Sequence, residues 1–298
     1  MGIGDVRSVE SVADCYYVDT GMYGTDGYGA VYIYDTERPA LVDTGIGTHY
    51  DRILDALDEV GIGRSELEYI IPTHAHLDHA GGAGVLVEET AADVYTPEAA
   101  AQFLTDPSGL WEGTKQAVGE QIQFYTEPQP VPESRLEPLA DGATLDLGDR
   151  ELVLHDAPGH AFHQGILHEP GDAVVFAADA AGIYVPELDT IRETSPPADF
   201  DLEGVVEDAE LIADLDPETI CYGHFGPAPA ADRIETYIAV ITDWVESVEA
   251  ARERLEGDEA VIEHFVEQST IDEVWGETKG RAEVAMNVRG VLQYLDSG

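Results

Sequence analysis

The residues His74-Ala75-His76-Leu77-Asp78-His79 place four metal-ligand side chains within six positions. Residues 68–73 just before them, Glu-Tyr-Ile-Ile-Pro-Thr, form an apolar run of strand length. Gly81, Gly82 and Gly84 follow and mark a loop or a tight helix start. The pattern predicts a buried strand ending in a ligand-bearing loop, which is where a rigid scaffold usually carries its chemistry. Imidazole nitrogen suits zinc, iron and similar ions, and a carboxylate hardens the site. Three of the chain's 10 histidines fall in this one run, a concentration that a polar surface loop does not explain.

Composition limits what such a site can serve. The chain has 61 acidic residues against 14 basic ones, a formal net charge of -47. Only Lys115 and Lys279 are lysines, and the acids are spread from Asp5 to Asp296. At physiological ionic strength charges interact over about 8 Å, and molar salt cuts this to roughly 3 Å. The balance resembles that of cytoplasmic proteins from salt-accumulating halophiles. It argues against nucleic acid, whose phosphates need Lys and Arg, and against anionic membrane surfaces. The 44% apolar content supports a substantial core. Cys15 and Cys221 lie far apart in apolar surroundings; they read as buried thiols, not as a disulfide framework. The start Met1-Gly2-Ile3-Gly4-Asp5 has no signal-peptide pattern. No apolar run is long enough to span a bilayer. A cytoplasmic protein is expected.

Along the chain, strands are expected at 15–20, 30–34, 40–45, 68–73 and 93–96, with a helix over 49–60 capped by Thr48. Residues 98–134 break the rhythm: two helical pieces and the Pro-rich run 127–132 suggest a flap beside the metal loop. Strands return at 144–147, 151–157, 165–168, 173–177 and 219–222, with a helix over 202–215. From Ala230 on, Ile234, Tyr237, Ile238, Ile241, Trp244, Val245 and Val248 recur at helical spacing. This order predicts a layered α/β core. A catalytic domain over 1–230 and a helical C-terminal extension over 231–298 are expected. That extension is either an active-site wall or a dimer face, so a homo-oligomer stays open.

One loop cannot complete a two-metal site. Three further residues each follow a predicted strand: His160 in Pro158-Gly159-His160, Asp179, and His224 in Tyr222-Gly223-His224. In this order, after His74, His76, Asp78 and His79, they make the sequence resemble the metallo-β-lactamase superfamily. Leu41-Val42-Asp43-Thr44-Gly45 resembles that family's Asp-bearing strand end.

The resemblance implies an αββα sandwich with two divalent ions at one edge, most simply zinc, with iron or manganese as alternatives. By that match His74, His76 and His160 hold the first ion, Asp78, His79 and His224 the second, and Asp179 bridges them. Asp43 would orient a ligand histidine, and Asp78 would orient the attacking water. The implied activity is hydrolysis of a small-molecule ester, thioester or lactone by a metal-held hydroxide.

Departures narrow the branch. Thioesterases of the glyoxalase II type carry Pro-Gly-His-Thr-x-Gly-His; here Ala161-Phe162-His163-Gln164 follows His160. Acyl-homoserine lactonases place a Tyr three residues after the bridging Asp; here that position is Gly182, with Tyr184 nearby. The sequence looks most like uncharacterised glyoxalase II-related hydrolases. Substrate contacts are expected from Tyr23, Tyr184 and His163, with Met22 and Tyr28 overhanging the metals and Phe103 and Trp111 lining an apolar pocket; plain packing is the alternative for each. Two other functions stay open. A mononuclear-iron persulfide dioxygenase would use His74, His160 and Asp179, and a non-catalytic binding module would use the same fold.

Overall fold

The computed structural model describes residues 2–194, 200–269 and 271–297. The first sheet has seven strands in chain order: β1 (Val6–Ser8), β2 (Cys15–Asp19), β3 (Ala30–Tyr34), β4 (Ala40–Val42), β5 (Tyr69–Ile71), β6 (Asp93–Pro97) and β7 (Leu136–Leu139). Between them run α1 (Tyr50–Val60), α2 (Leu77–Ala80), α3 (Ala83–Glu89), α4 (Glu98–Thr105) and α5 (Ser108–Val118). The second sheet uses β8 (Thr144–Asp146), β9 (Glu151–Asp156), β10 (Gly165–Glu169), β11 (Val174–Ala178), β14 (Thr219–Tyr222) and β15 (Pro227–Pro229), in the order β15-β14-β11-β10-β9-β8. A hairpin of β12 (Ile183–Val185) and β13 (Thr190–Arg192) stands apart. The remaining helices are α6 (Leu202–Asp214), α7 (Arg233–Arg254), α8 (Asp258–Gln268), α9 (Asp272–Trp275) and α10 (Glu277–Ser297).

Side-chain alternation builds the layers. Along β3, Val31 and Ile33 pack toward α1 and α3, while Ala30, Tyr32 and Tyr34 face the second sheet. Along β11, Val174 and Phe176 face the first sheet, while Val175 and Ala177 face the helices. The result is the expected αββα sandwich. Cys15 and Cys221 lie buried between the sheets, where the lack of solvent pushes both thiols well up; Cys221 belongs to this core and not to the metal loop.

One expectation needs correction. Thr48 does not cap α1: the cap position is His49, in the left-handed region with no side-chain cap bond, and the Thr48 hydroxyl meets Thr126 at 2.9 Å. The expected helices beyond residue 230 are present. Val284, Val288 and Val291 of α10 share one buried cluster with Val175, Ala177 and Ile220 of the second sheet. No helix among the described residues is long and apolar enough to cross a membrane.

Candidate metal centre

β4 and β5 run parallel, as do β11 and β14. Their carboxyl ends therefore open on one edge of the sandwich, where loops from both sheets meet. Asp43 follows β4, His74 to His79 follow β5, His160 follows β9, Asp179 follows β11 and His224 follows β14. A backbone bond from Gly165 N to Thr73 O at 2.9 Å joins the two sheets beside this edge. The register of β11 shifts between Phe176 and Ala178, and Ala178 takes a φ of 46°. Such an irregularity re-aims a side chain at the end of a strand, here the carboxylate of Asp179.

Two groups of ligand atoms result. His74, His76, His160 and Asp179 lie within 4.8 Å of one another, as do Asp78, His79 and His224. Asp179 sits between them. Its Oδ2 is 3.6 Å from His74 Nε2, 3.4 Å from His160 Nε2 and 3.3 Å from His79 Nε2, and its Oδ1 is 3.7 Å from His224 Nε2.

Neighbouring groups set which nitrogen of each ring faces inward. Thr73 Oγ1 donates to Asp43 Oδ1 at 2.8 Å, so it accepts from His74 Nδ1 at 3.1 Å and leaves His74 Nε2 as a lone pair. Asp43 Oδ2 accepts a hydrogen bond from the Nδ1–H of His79 at 2.7 Å, and the Tyr28 carbonyl accepts one from that of His224 at 3.1 Å. His76 differs: its Nδ1 is the atom facing His74 Nε2 at 3.0 Å and His160 Nε2 at 3.3 Å.

This donor set fits metal ions. Imidazole nitrogens that converge on one another at hydrogen-bond distance need something positive between them. His79 Nε2 is buried and has no well-formed hydrogen bond. Burial holds His74 far below the usual imidazole range, helped by His79 and His76, and lowers His160 to about 4 against the pull of Asp179. Burial alone would raise the Asp179 and Asp78 carboxyls. For Asp179, His160, His79 and His224 hold it far below the usual range; for Asp78, His79 and His224 lower it. Burial would also lower His79, but Asp43, Asp179 and Asp78 hold it well above the usual range. Neutral imidazoles at His74 and His160 and ionised carboxylates at Asp78 and Asp179 are the states metal binding requires, and at His79 the surrounding carboxylates hold a proton that a bound cation would displace.

A cavity of about 150 Å³ opens over the site, and Tyr23, Tyr28, Tyr125, Ile183, Glu283 and Met286 form part of its wall. Thr114, Ala117 and Val118 also line it, so part of the segment 98–134 does sit beside the metal loop. Of the expected contacts, Tyr23 and Tyr28 are at the cavity. Tyr184 is not. Alternation along β12 turns Ile183 inward and Tyr184 outward, with its hydroxyl 2.8 Å from Asp189 and its ring 4.4 Å from the Arg233 guanidinium. His163 is buried behind the metal loop, where its Nδ1 faces the Ala75 N–H at 3.4 Å and its ring stacks 6.0 Å from His74. Phe103 packs on Phe162 and His163, and Trp111 lies beneath Lys115; neither lines this cavity. Thr73, Thr194, Tyr125 and Glu283 were not expected. Thr73 adjoins His74, so its role had a positional signal; Tyr125 and Glu283 lie far off in sequence and had none.

Among curated proteins, the metallo-beta-lactamase fold-containing protein ST1585 of Sulfurisphaera tokodaii is 26% identical over 54% of this chain and 61% of its own length. The acyl-coenzyme A thioesterase MBLAC2 of Gallus gallus is 31% identical over 48% of this chain and 54% of its own. The chain thus matches little more than half the length of these two relatives. A hydroxyacylglutathione hydrolase of Erythrobacter litoralis is 25% identical over 77% of this chain and 76% of its own. The solved structure of ST1585 from Sulfolobus tokodaii superposes with a TM-score of 0.72 at 21% identity, covering 95% of this chain and 99% of that one, which speaks to fold alone. The model of the metallo-beta-lactamase superfamily matches residues 24–224, a stretch that holds both ligand groups, and the chain belongs to that superfamily.

Proposed function

We propose that the chain is a hydrolase that holds two divalent ions, zinc in the simplest case, and cleaves a small ester, thioester or lactone in a salt-rich cytoplasm. The carrying observation is the placement of Asp179 between two complete ligand groups, with one carboxylate oxygen toward His74, His79 and His160 and the other toward His224. His74, His76 and His160 would hold one ion, Asp78, His79 and His224 the other, and Asp179 both. Bound divalent ions supply acidified water and polarise a carbonyl or phosphoryl oxygen.

The chain's own residues do the rest. Asp78 lies on the cavity wall with its side chain 27% exposed and is kept ionised. It accepts a hydrogen bond from the attacking water and orients it. The Tyr23 and Tyr125 hydroxyls, 2.5 Å apart, border the same space. Burial holds both phenols well above their usual range, so they keep their protons; one hydroxyl donates to the other, and the remaining O–H is left to donate to the substrate. Leu77, Val118, Ile183 and Met286 exclude water. The thioesterase and the hydroxyacylglutathione hydrolase among the relatives favour thioesters within this class.

The test is metal analysis of protein purified in molar salt, together with assays on thioesters, lactones and phosphodiesters. Two divalent ions per chain and turnover of a thioester or lactone are expected. One iron per chain, with sulfite formed from glutathione persulfide, would replace this reading with the dioxygenase. Unchanged activity in His76→Ala would favour a binding module.

A further inference from the structure

Val118 and Met286 are apolar side chains that the core does not use. Both are partly buried. Neither is part of a buried apolar cluster of the described residues or of the side chains packed against one. Val118 ends α5, a helix in which no residue is buried. Met286 lies on α10 between Val284 and Val288, which are buried. What the two share is the cavity over the metal centre, which both line. Leu77, Ala117, Ile183 and Tyr28 continue its wall, and no Lys or Arg is among the described residues that line it.

Apolar surface that no core covers marks a place where a ligand is met. The cavity of about 150 Å³ has the volume of an apolar cavity that admits benzene. The ions and the attacking water take a share of it, which leaves room for a chain of about four to six carbons. Tyr23, Ala117 and Val118 also line a second, larger groove of about 640 Å³. A carbonyl compound has two arms, and these two spaces differ in what they can take.

We propose that the cavity is an acyl pocket for short, straight, uncharged chains, and that Val118 and Met286 set its length limit. The leaving group has to depart while the acyl group is still held, so the leaving group takes the larger groove and the acyl group the smaller cavity. This rests on the hydrolase reading above and narrows it to short-chain acyl esters and thioesters.

The test is a series of straight-chain thioesters, acetyl to dodecanoyl, on one constant thiol, with a second series that varies the thiol on a constant acetyl group. Both are assayed with metal-loaded protein in molar salt. In the first series kcat/KM is expected to rise about fourfold per methylene, to peak at about four to six carbons and to fall at least about tenfold beyond, because a filled space resists further atoms. Met286→Ala and Val118→Ala should move the peak longer by about three and two carbons, the heavy atoms each removes. Met286→Leu, which conserves volume, should leave it in place. Val118→Ala, on a helix with no buried residue, keeps the test open should Met286→Ala fold poorly. No peak in wild type, a peak unmoved in the truncations that fold, or a limit that follows the thiol series instead would overturn the proposal. If no thioester is turned over, the hydrolase reading fails, and calorimetric binding of straight-chain amides decides on the pocket. An affinity that peaks at the same length and shifts in the truncations supports it; one without a peak, or with a peak that stays, overturns it.

Discussion

Asp43 shows how one side chain can set the chemistry of the edge. It has a φ of 64°, a region that Asp and Asn tolerate better than other side chains. Its Oδ1 accepts from Thr73 N and Thr73 Oγ1, both at 2.8 Å, and its Oδ2 accepts a hydrogen bond from the Nδ1–H of His79 at 2.7 Å. Asp43→Asn keeps the backbone conformation and the Thr73 bonds but turns an amide NH₂ toward His79. That imidazole must then accept at Nδ1 and carry its proton on Nε2, the atom facing Asp179. A protonated nitrogen cannot ligate. The expected outcome is loss of the ion held by Asp78, His79 and His224, with that site's affinity down about 10- to 100-fold and the first ion retained. Metal content after dialysis, one ion per chain against two in wild type, checks it. In the sequence, the family resemblance of Leu41-Val42-Asp43-Thr44-Gly45 pointed to Asp43. The tautomers of His224 and His160 had no such signal, since the Tyr28 carbonyl and the Thr194 hydroxyl come from residues distant in sequence from the ligands they face.

Among the elements, the turn Pro158-Gly159-His160 is held by α6 and not by its own strand. Gly159 N donates to Asp208 Oδ2 at 2.7 Å, and Gly159 O accepts from Asp201 N at 3.0 Å. The helix comes so close that a Cβ on Gly159 would lie 2.1 Å from Val205 N. Asp208 is 5% exposed, and burial lifts its carboxyl to about 7, with the Gly159 N–H pulling the other way. Between about pH 4 and 7 the folded chain therefore holds a proton that the unfolded chain has released. This stabilising contribution is complete below the unfolded value of 3.8 and is lost as pH rises through about 7. Asp208→Asn lacks that dependence. Its melting temperature relative to wild type should climb from pH 4 to pH 8, by a stability difference of at most about 4 kcal/mol; parallel curves would show that Asp208 does not titrate in this range. The role of α6 was not legible in the sequence, because its apolar face looks like that of any amphipathic helix. β3 and β11 were legible from their apolar residues. β1, β12, β13 and β15, three residues each, lie outside the expected strands, and the turning of Tyr184 away from the cavity depends on the second of these.

For the whole molecule the governing quantity is charge. The described ion pairs of Arg7, Arg38 and Arg64 are largely exposed, and exposed pairs are worth about 0–1 kcal/mol each. Fourteen basic residues cannot offset 61 acidic ones, so at low ionic strength the folded state carries unrelieved repulsion, while the unfolded chain spreads the same charges over a larger volume. Screening acts on this difference directly. Raising KCl from 0.1 to 2 M shortens the Debye length from about 10 Å to below roughly 3 Å, and removing several kcal/mol of repulsion from a domain of this size raises its melting temperature by about 10 °C. NaCl at equal ionic strength should give the same gain, because screening depends on ionic strength and not on which monovalent cation supplies it. Sucrose also favours the compact state, through exclusion from the surface, but does not screen, so at matched osmolality it should recover only a minor part of the shift. A melting temperature indifferent to KCl between 0.1 and 2 M would mean that the acidic surface imposes no salt requirement. A gain reproduced in full by sucrose would assign the effect to solvent exclusion and not to charge.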